Sequence, residues 1–410
     1  MSASRLIRRR SVLRQLQRGP LGPYIDRVAV RYIEQLYTRD YAAASLISIG
    51  RFGRWLERCG LKPDDIDEQL IDQYIQRRSV RAHAGTPTAL RNLLRVLREV
   101  GACPPPALVA RGPDQILEDD FKGYLVTERG LAARTVEHYA RAAHAFLAAC
   151  PREEDRVWSA LTAADVLTFV RRRAETRIPI YMQQLCTGLR AFLRYLRFRG
   201  EIQGDLAASV PRIARWRLAT LPKSLSSVQV HQILRHCNRQ TAVGRRNYAV
   251  LLLLARLGLR ANEIRCLTLD DIDWSSGQLT IRSKGSGPHA MPLPTDVGKA
   301  LAAYLTDGRP PSSSRAVFVR LKPPHNPFAD SGAVTTIAAD AMQASDITAP
   351  SKGAHVFRHT LATQMLRHGA SLREIGQVLR HRHEDTTRIY AKVDLTRLRT
   401  LALSWPGGAL

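Results

Sequence analysis

The chain has 410 residues, of which 62 are Lys or Arg and 36 are Asp or Glu, so its formal net charge is +26 and its pI is about 10.7. Hydrophobic residues make up 45% of it, which fits a globular protein, and its length suggests two or three domains. The positive charge favours a polyanionic partner, most simply nucleic acid. Charge alone does not show whether the polyanion is DNA, RNA or an anionic membrane surface.

The longest apolar run, YAVLLLLA at 248–255, stops at Arg256 and is far shorter than the ~20 residues that span a bilayer. We therefore expect a soluble, cytoplasmic protein with no membrane partner. The six cysteines are widely separated and form no C-x-x-C pair, which argues against a zinc ribbon and against a secreted disulfide framework.

The first eighteen residues contain six arginines and no acidic residue. We expect residues 1–19 to form a basic, flexible arm that grips DNA. An organellar transit peptide is the alternative, whereas a secretory signal is excluded because the segment has no apolar centre.

Two helical regions follow, at 20–110 and 115–208, and they echo one another. The segment DEQLIDQYIQRRS (67–79) aligns with TAADVLTFVRRRA (162–174). In both regions apolar residues recur at three- and four-residue steps with arginines between them, which is typical of amphipathic helices with basic outer faces. The pattern indicates two all-helical modules, the first a diverged copy of the second.

Residues 209–221, rich in proline and basic side chains, are predicted to form a linker to a mixed α and β domain at 222–395. Alternating residues in GQLTIRS and HAMPLP, on either side of GSG, predict two short strands joined by a turn. The fold class expected is therefore mainly α with a small β-sheet, with the sheet confined to the third domain.

Polar residues gather near the end of this domain. His355 and Arg358 are three apart and share a helix face, and Gly369 is expected to end that helix. Ser371 and Glu374 have the spacing of a capping box for the next helix. His381 falls just past the end of that second helix, and Tyr390 falls in an early turn of a further helix that begins near Asp385. Two histidines, an arginine and a tyrosine could thus converge.

A metal site is the competing interpretation of these residues. His355 and His359 are spaced i, i+4, but Val356 stands where a metalloprotease helix needs its glutamate, and Arg358 would repel a dication. The acidic run DDID at 270–273 is expected to make caps and turns. We therefore predict neither a metal nor another cofactor.

Five motifs in order resemble the catalytic domain of the tyrosine recombinases of the phage integrase family. The resemblance covers about 222–400, and the helices at 115–208 look like the core-binding, DNA-binding domain of that family. The motifs are GLRANEI (258–264), SKGSGPHAMPL (283–293), HVFRH (355–359), LRH (379–381) and TTRIYAKV (386–393).

By position, the resemblance implies a catalytic set in which Tyr390 is the nucleophile. Glu263 is implied to support Arg260, the first arginine of the set, without contacting the substrate itself. The six catalytic residues implied are Arg260, Lys284, His355, Arg358, His381 and Tyr390. Two departures stand out, because the family usually has glycine where this chain has Arg380, and Gly287 and His289 replace the basic residues that usually follow the lysine.

The implied chemistry needs no cofactor. Two guanidinium groups can clamp the oxygens of a phosphodiester under attack and so replace a divalent metal. Tyrosine, with an ordinary pKa near 10, needs a proton acceptor and a positive field, for which His355 is a candidate. Lys284 would protonate the leaving 5′ oxygen, and His381 would hydrogen-bond the phosphate.

The resemblance also implies double-stranded DNA as partner, a clamp around the duplex, and a tetramer on two DNA sites in which the tail 396–410 docks on a neighbouring subunit. Related recombinases are further candidate partners for the module at 20–110. We expect a bacterial, DNA-associated enzyme, of a mobile element, that recombines specific sites. The alternatives are a type IB topoisomerase-like enzyme and a DNA-binding protein whose active site has decayed.

Overall fold

The computed structural model describes residues 2–77, 85–106, 112–150, 158–213, 222–282, 287–349, 351, 353–381 and 383–393. By spatial contacts the chain divides into two units. One comprises Met1–Pro105 together with Leu218–Leu410, and the other comprises Pro106–Arg217. The boundaries that the sequence indicates stay predictions, since residues 214–221 of the expected linker lie outside the described ranges.

The N-terminal module is helical and has its own core, to which Leu46, Phe52 and Leu93 contribute fully buried side chains. Its helices are α1 (Ala3–Leu6), α2 (Arg10–Gln17), α3 (Ile25–Glu34), α4 (Arg39–Arg58), α5 (Glu68–Arg77) and α6 (Thr86–Glu99). The first residues differ from a flexible arm, because Leu6 and Leu16 are buried in this core and the short helices that carry them pack on α3 and α4.

The second unit has four α-helices in its described residues, around a core that includes the buried rings of Phe121, Phe146 and Phe192. Its helices are α7 (Pro113–Thr127), α8 (Ala133–Leu147), α9 (Ala163–Ala174) and α10 (Pro179–Phe198). The echoed sequence segments lie on α5 and α9, and the duplication stays a prediction. Thr162 and Asp165 form a capping box at the start of α9.

The C-terminal domain is mixed. Its helices are α11 (Ser227–His236), α12 (Ala242–Leu257), α13 (Ala261–Cys266), α14 (Thr295–Asp307), α15 (Gly332–Ala344), α16 (His355–Arg367) and α17 (Leu372–Val378). The apolar run at 248–255 forms the buried part of α12. It is apolar on all sides because α14, α15 and α16 all pack against that helix.

Within the described ranges, the sheet of this domain has three antiparallel strands in the order β1, β2, β3, which span Ile272–Asp273, Gln278–Arg282 and Pro288–Pro292. Leu279 pairs with Ile272 on one side and with Met291 on the other. Both strands predicted from alternation are present, and the two-residue β1 is an addition. A mainly α fold with a small sheet is therefore confirmed.

No helix in the described ranges is long and apolar enough to cross a lipid bilayer.

Candidate active site

Arg260 is fixed by the start of α13, where it is the N-cap residue. Its backbone N–H donates to Glu263 Oε2 at 2.8 Å, and its Nη1 donates to Glu263 Oε1 at 2.7 Å. Glu263 is only 5% exposed, whereas the Arg260 side chain keeps 36% of its surface. The carboxylate therefore anchors an arginine whose guanidinium still reaches solvent.

Arg358 lies on α16 and is buried, with 4% of its surface exposed. Its Nη1 donates to the carbonyl of Gly258 at 2.5 Å, and its Nη2 donates to the carbonyl of Leu379. Burial lowers the pKa of Arg358 to about 9, and the charges of Arg260 and Arg380 add to the effect. The guanidinium is therefore still charged at neutral pH.

The turn after α17 holds both arginines. Arg380 has a left-handed φ of 55°, and its carbonyl accepts a hydrogen bond from Arg260 Nη2 at 3.4 Å, one residue after the carbonyl of Leu379 that accepts from Arg358. Two consecutive carbonyls of one turn thus fix the two guanidinium groups that the sequence singled out.

Gly258, which ends α12, lets this turn approach closely. Its φ is +56°, and a Cβ there would lie 2.8 Å from a methyl group of Leu379 and 3.0 Å from one of Leu361. Glycine is therefore required here both by backbone conformation and by space.

His381 closes the same turn and is partly buried, and its Nδ1 lies 2.7 Å from Thr387 Oγ1. Burial lowers its pKa to about 4, and the nearby charges of Arg358, Arg260 and Arg380 act in the same direction. The ring is therefore neutral at pH 7. It borders a cleft of about 650 Å³ that is also lined by His289.

Tyr390 is 2% exposed and packs with Leu366, Ile375 and Leu379. Its hydroxyl lies 2.9 Å from Nδ1 of His359. Burial raises the pKa of Tyr390 to about 12, and the positive charge of Arg358 offsets part of that rise. The phenol is thus protonated at neutral pH and must lose its proton before it can act as a nucleophile.

His359 is the contact that sequence reasoning missed. Its i, i+4 spacing from His355 indicates only a candidate metal pair, and the signal of its contact with the phenol is its place directly after Arg358 on the helix. Burial lowers the pKa of His359, with the charges of His355 and Arg358 contributing, so a neutral ring faces the phenol. Tyr390 lies in the first turn of a further helix, as expected, but Arg388–Val393 is a 3₁₀ helix and not an α-helix.

His355 is the first residue of α16 and is exposed, with its ring centroid 6.2 Å from that of His359. Partial desolvation lowers its pKa, and the charges of Arg358 and Arg260 act in the same direction. Lys284, the remaining catalytic residue that the resemblance implies, lies outside the described residues, as does the tail 396–410.

In the part of the chain that the structure describes, no three His, Cys, Asp or Glu side chains are grouped to hold a metal ion. The first two residues of the DDID run lie in a short 3₁₀ helix and the last two form β1, and two of its aspartates cap neighbouring backbone or hydroxyl groups. Asp271 accepts a hydrogen bond from the backbone N–H of Thr268, and Asp273 accepts hydrogen bonds from Ser275 and Ser276.

The sequence model of the phage integrase family matches residues 223–397. The chain is 39% identical over 400 residues to the "Putative integrase/recombinase y4rA" of Sinorhizobium fredii, a match that covers 96% of this chain and 97% of that protein. It is 29% identical over 290 residues to the tyrosine recombinase XerD of Listeria monocytogenes, covering 69% of this chain and 96% of XerD.

Two solved structures share the fold. The XerH site-specific recombinase bound to a palindromic difH substrate aligns with a TM-score of 0.55 at 17% identity, covering 69% of this chain and 83% of XerH. A lambda integrase tetramer bound to a Holliday junction aligns with a TM-score of 0.53 at 15% identity, covering 80% of this chain and 90% of that one.

Proposed function

The chain belongs to the phage integrase family and is a tyrosine recombinase, an enzyme that breaks and rejoins DNA, and on that premise we propose which residues perform each step. The observation that carries the proposal is the cluster of Arg260 and Arg358 on the carbonyls of the 379–380 turn, beside Tyr390. A buried phenol next to fixed cations is the arrangement that attack on a phosphodiester requires.

In the proposed reaction the oxygen of Tyr390 attacks the scissile phosphorus and forms a 3′-phosphotyrosine bond, while the bond from phosphorus to the 5′ oxygen breaks. Arg260 and Arg358 hydrogen-bond the phosphate oxygens on which negative charge accumulates. We propose that His381, neutral at pH 7, donates a further hydrogen bond to the phosphate. Glu263 positions Arg260 through two hydrogen bonds.

Two proton transfers accompany this step. The phenol proton leaves toward an imidazole, and we propose that His355 assists this transfer, with His359 holding the hydroxyl beforehand. The leaving 5′ oxygen takes a proton from Lys284, the residue that the family resemblance assigns. The phosphotyrosine keeps the energy of the broken bond, so that another 5′-hydroxyl can attack it without a nucleotide cofactor.

The partner is double-stranded DNA, and we propose that residues 115–208 and 222–395 both contact the duplex. We propose that strand exchange takes place in a tetramer on two DNA sites, with the tail 396–410 docking on a neighbouring subunit. A tetramer is what the lambda integrase of similar fold forms on a Holliday junction. Related recombinases as further partners, a mobile element as context and a bacterial cytoplasm as location remain part of this proposal.

Two alternatives are less well supported. A type IB topoisomerase is disfavoured because relatives named integrase or recombinase match almost the whole chain. A decayed active site would be expected to lose its arginine cluster, yet Arg260, Arg358 and His381 lie together and the departure at Arg380 is accommodated among them.

The test begins with sequencing of genomic fragments that the protein retains. Recovered sequences are then built into duplexes nicked beside each candidate scissile phosphate, so that the released end diffuses away and the covalent product accumulates. We expect a product resistant to SDS with the native protein and none with Tyr390→Phe. A native protein that binds these duplexes tightly and forms no product on any of them supports the decayed binder instead.

A further inference from the structure

The side chain of Arg380 occupies the position where related enzymes usually have glycine, which has no side chain. It is 4% exposed, and its Nη2 donates to Glu263 Oε2 at 3.1 Å. Two features of this placement are unfavourable. An arginine adopts a left-handed φ of 55°, and its buried Nε has no hydrogen-bond partner among the described residues. A side chain kept at such cost indicates a function rather than filler.

Among the residues that the structure describes, two guanidinium groups share Glu263. Its Oε1 accepts from Arg260 Nη1, and its Oε2 accepts from the backbone N–H of Arg260 and from Arg380 Nη2. A single carboxylate facing Arg260 alone would cancel most of the positive charge that this arginine presents to an incoming phosphate. With Arg380 added, the group of three carries a net charge of +1.

The two arginines differ in how far they reach solvent. The Arg260 side chain is 36% exposed, whereas that of Arg380 is 4% exposed and lies on the far oxygen of the carboxylate. The net positive charge of the group therefore faces solvent at the Arg260 guanidinium, whereas the buried Arg380 guanidinium neutralises Glu263 on its solvent-shielded side. Arg380 also contacts Met291 Sδ on β3 and the carbonyl of Val378, which fixes its guanidinium in this place.

We propose that Arg380 is a positioning residue whose guanidinium neutralises Glu263, so that this carboxylate can orient Arg260 without cancelling the charge that Arg260 offers to the scissile phosphate. This proposal rests on the proposed function, because Arg260 must contact that phosphate. It adds Arg380 to the set that the family resemblance implies, and it explains how the site accommodates an arginine where the family pattern has glycine.

The decisive substitution is Arg380→Gly, because glycine adopts the left-handed turn freely and removes only the side chain. We expect the single-turnover cleavage rate constant at saturating DNA to fall about 10-fold, with the Kd for DNA changed less than about twofold, since one indirect electrostatic contribution is lost. Arg380→Lys keeps the charge and should recover part of the rate.

A second substitution separates charge from structure. Glu263→Gln keeps an acceptor for the backbone N–H of Arg260 but removes the negative charge. If Arg380 acts by neutralising Glu263, the double variant R380G/E263Q cleaves faster than R380G. If the Arg380–Glu263 ion pair is only structural, the double variant should cleave no faster than R380G. All rates are measured well below the melting temperature of each variant.

The outcomes are distinguishable. Slow cleavage by R380G with recovery in R380G/E263Q supports the proposal. Two results overturn it. One is that R380G cleaves at the rate of the native protein, and the other is that R380G cleaves slowly and R380G/E263Q is no faster. If the native protein forms no covalent product on DNA that it binds, the proposed function fails, and the inference about Arg380 fails with it.

Discussion

The hydroxyl of Tyr390 lies 2.9 Å from Nδ1 of His359, a histidine carried by the same helix as Arg358. The phenol is buried and protonated, and this contact holds it against the histidine that directly follows Arg358, whose positive charge favours ionisation of the phenol. We therefore propose that His359 holds the nucleophile, in addition to the roles of His355 and Arg358 on the same helix.

Replacing His359 by Phe should slow formation of the covalent DNA product by about 10-fold, because the phenol loses the hydrogen bond that orients it. Binding of the nicked duplex should stay within about twofold of native, since removal of one positioning contact affects the reacting geometry most. Product accumulation on denaturing gels measures the rate. His368→Ala, at an exposed histidine at the end of the same helix, is the matched control and should leave the rate unchanged. Equal rates for H359F and the native protein would contradict the role of His359.

Replacing Arg358 by Lys should reduce cleavage by about 100-fold or more, because an ammonium group lacks the planar fork that binds two acceptors at once. It should also lower the free energy of unfolding by about 2 kcal/mol, since the buried carbonyls of Gly258 and Leu379 lose charged donors. Urea unfolding and single-turnover cleavage are the two measurements. Arg367→Lys, at an exposed arginine of the same helix, should change neither.

Gly258→Ala should lower the free energy of unfolding by about 2–3 kcal/mol and impair cleavage, because the new methyl group meets Leu379 and Leu361 and the backbone conformation disfavours alanine. Gly277→Ala isolates the second effect. Gly277 also has a left-handed φ, of 63°, but nothing lies within 4 Å of its Cβ position, so the cost there should be about 1 kcal/mol. Similar losses at the two sites would show that close packing at Gly258 is unimportant.

Stability should depend on pH through His381. Its pKa falls from an ordinary value of 6.5 to about 4 on folding, so between those pH values the unfolded chain binds more protons than the native protein. The free energy of unfolding therefore falls as the pH decreases from 6.5 toward 4 and is unaffected by this group above 6.5. His355 and His359, whose pKa values are also lowered, act in the same direction.

His381→Gln tests this dependence, because it removes the titrating ring and keeps a hydrogen-bonding side chain beside Thr387. The loss of stability between pH 6.5 and pH 4 should be smaller in the variant by about 2 kcal/mol, which allows for the partial exposure of the ring. Urea unfolding at a series of pH values measures it. Parallel curves for native and variant proteins would mean that His381 is not held neutral by its surroundings.

The sequence predicted the parts of the site that depend on local spacing. The capping box of Ser371 and Glu374 begins α17 and the helix from His355 ends just before Gly369, because caps and glycine stops act over a few residues. The family resemblance indicated Arg260, Arg358, His381 and Tyr390, and the structure brings these side chains into one cluster.

Contacts between distant elements could not be predicted. Arg380 reaches Glu263 across 117 residues of sequence, and this contact depends on how α17 lies against α13. The same limit applies to Leu6 and Leu16. Their short helices are buried by α3 and α4, although the surrounding arginines indicated an exposed arm. Local charge patterns report exposure only where tertiary packing does not intervene.

The central claim is that Tyr390 becomes bonded to DNA, and the most direct measurement is mass spectrometry of the covalent product. The native protein is incubated with a nicked duplex from the fragments that it retains, digested with protease and nuclease, and its peptides are analysed for an added nucleotide. We predict that the nucleotide is on Tyr390, through a 3′-phosphate, and that the product is absent with Tyr390→Phe. A nucleotide on any other residue, or an undiminished product with Tyr390→Phe, would contradict the account.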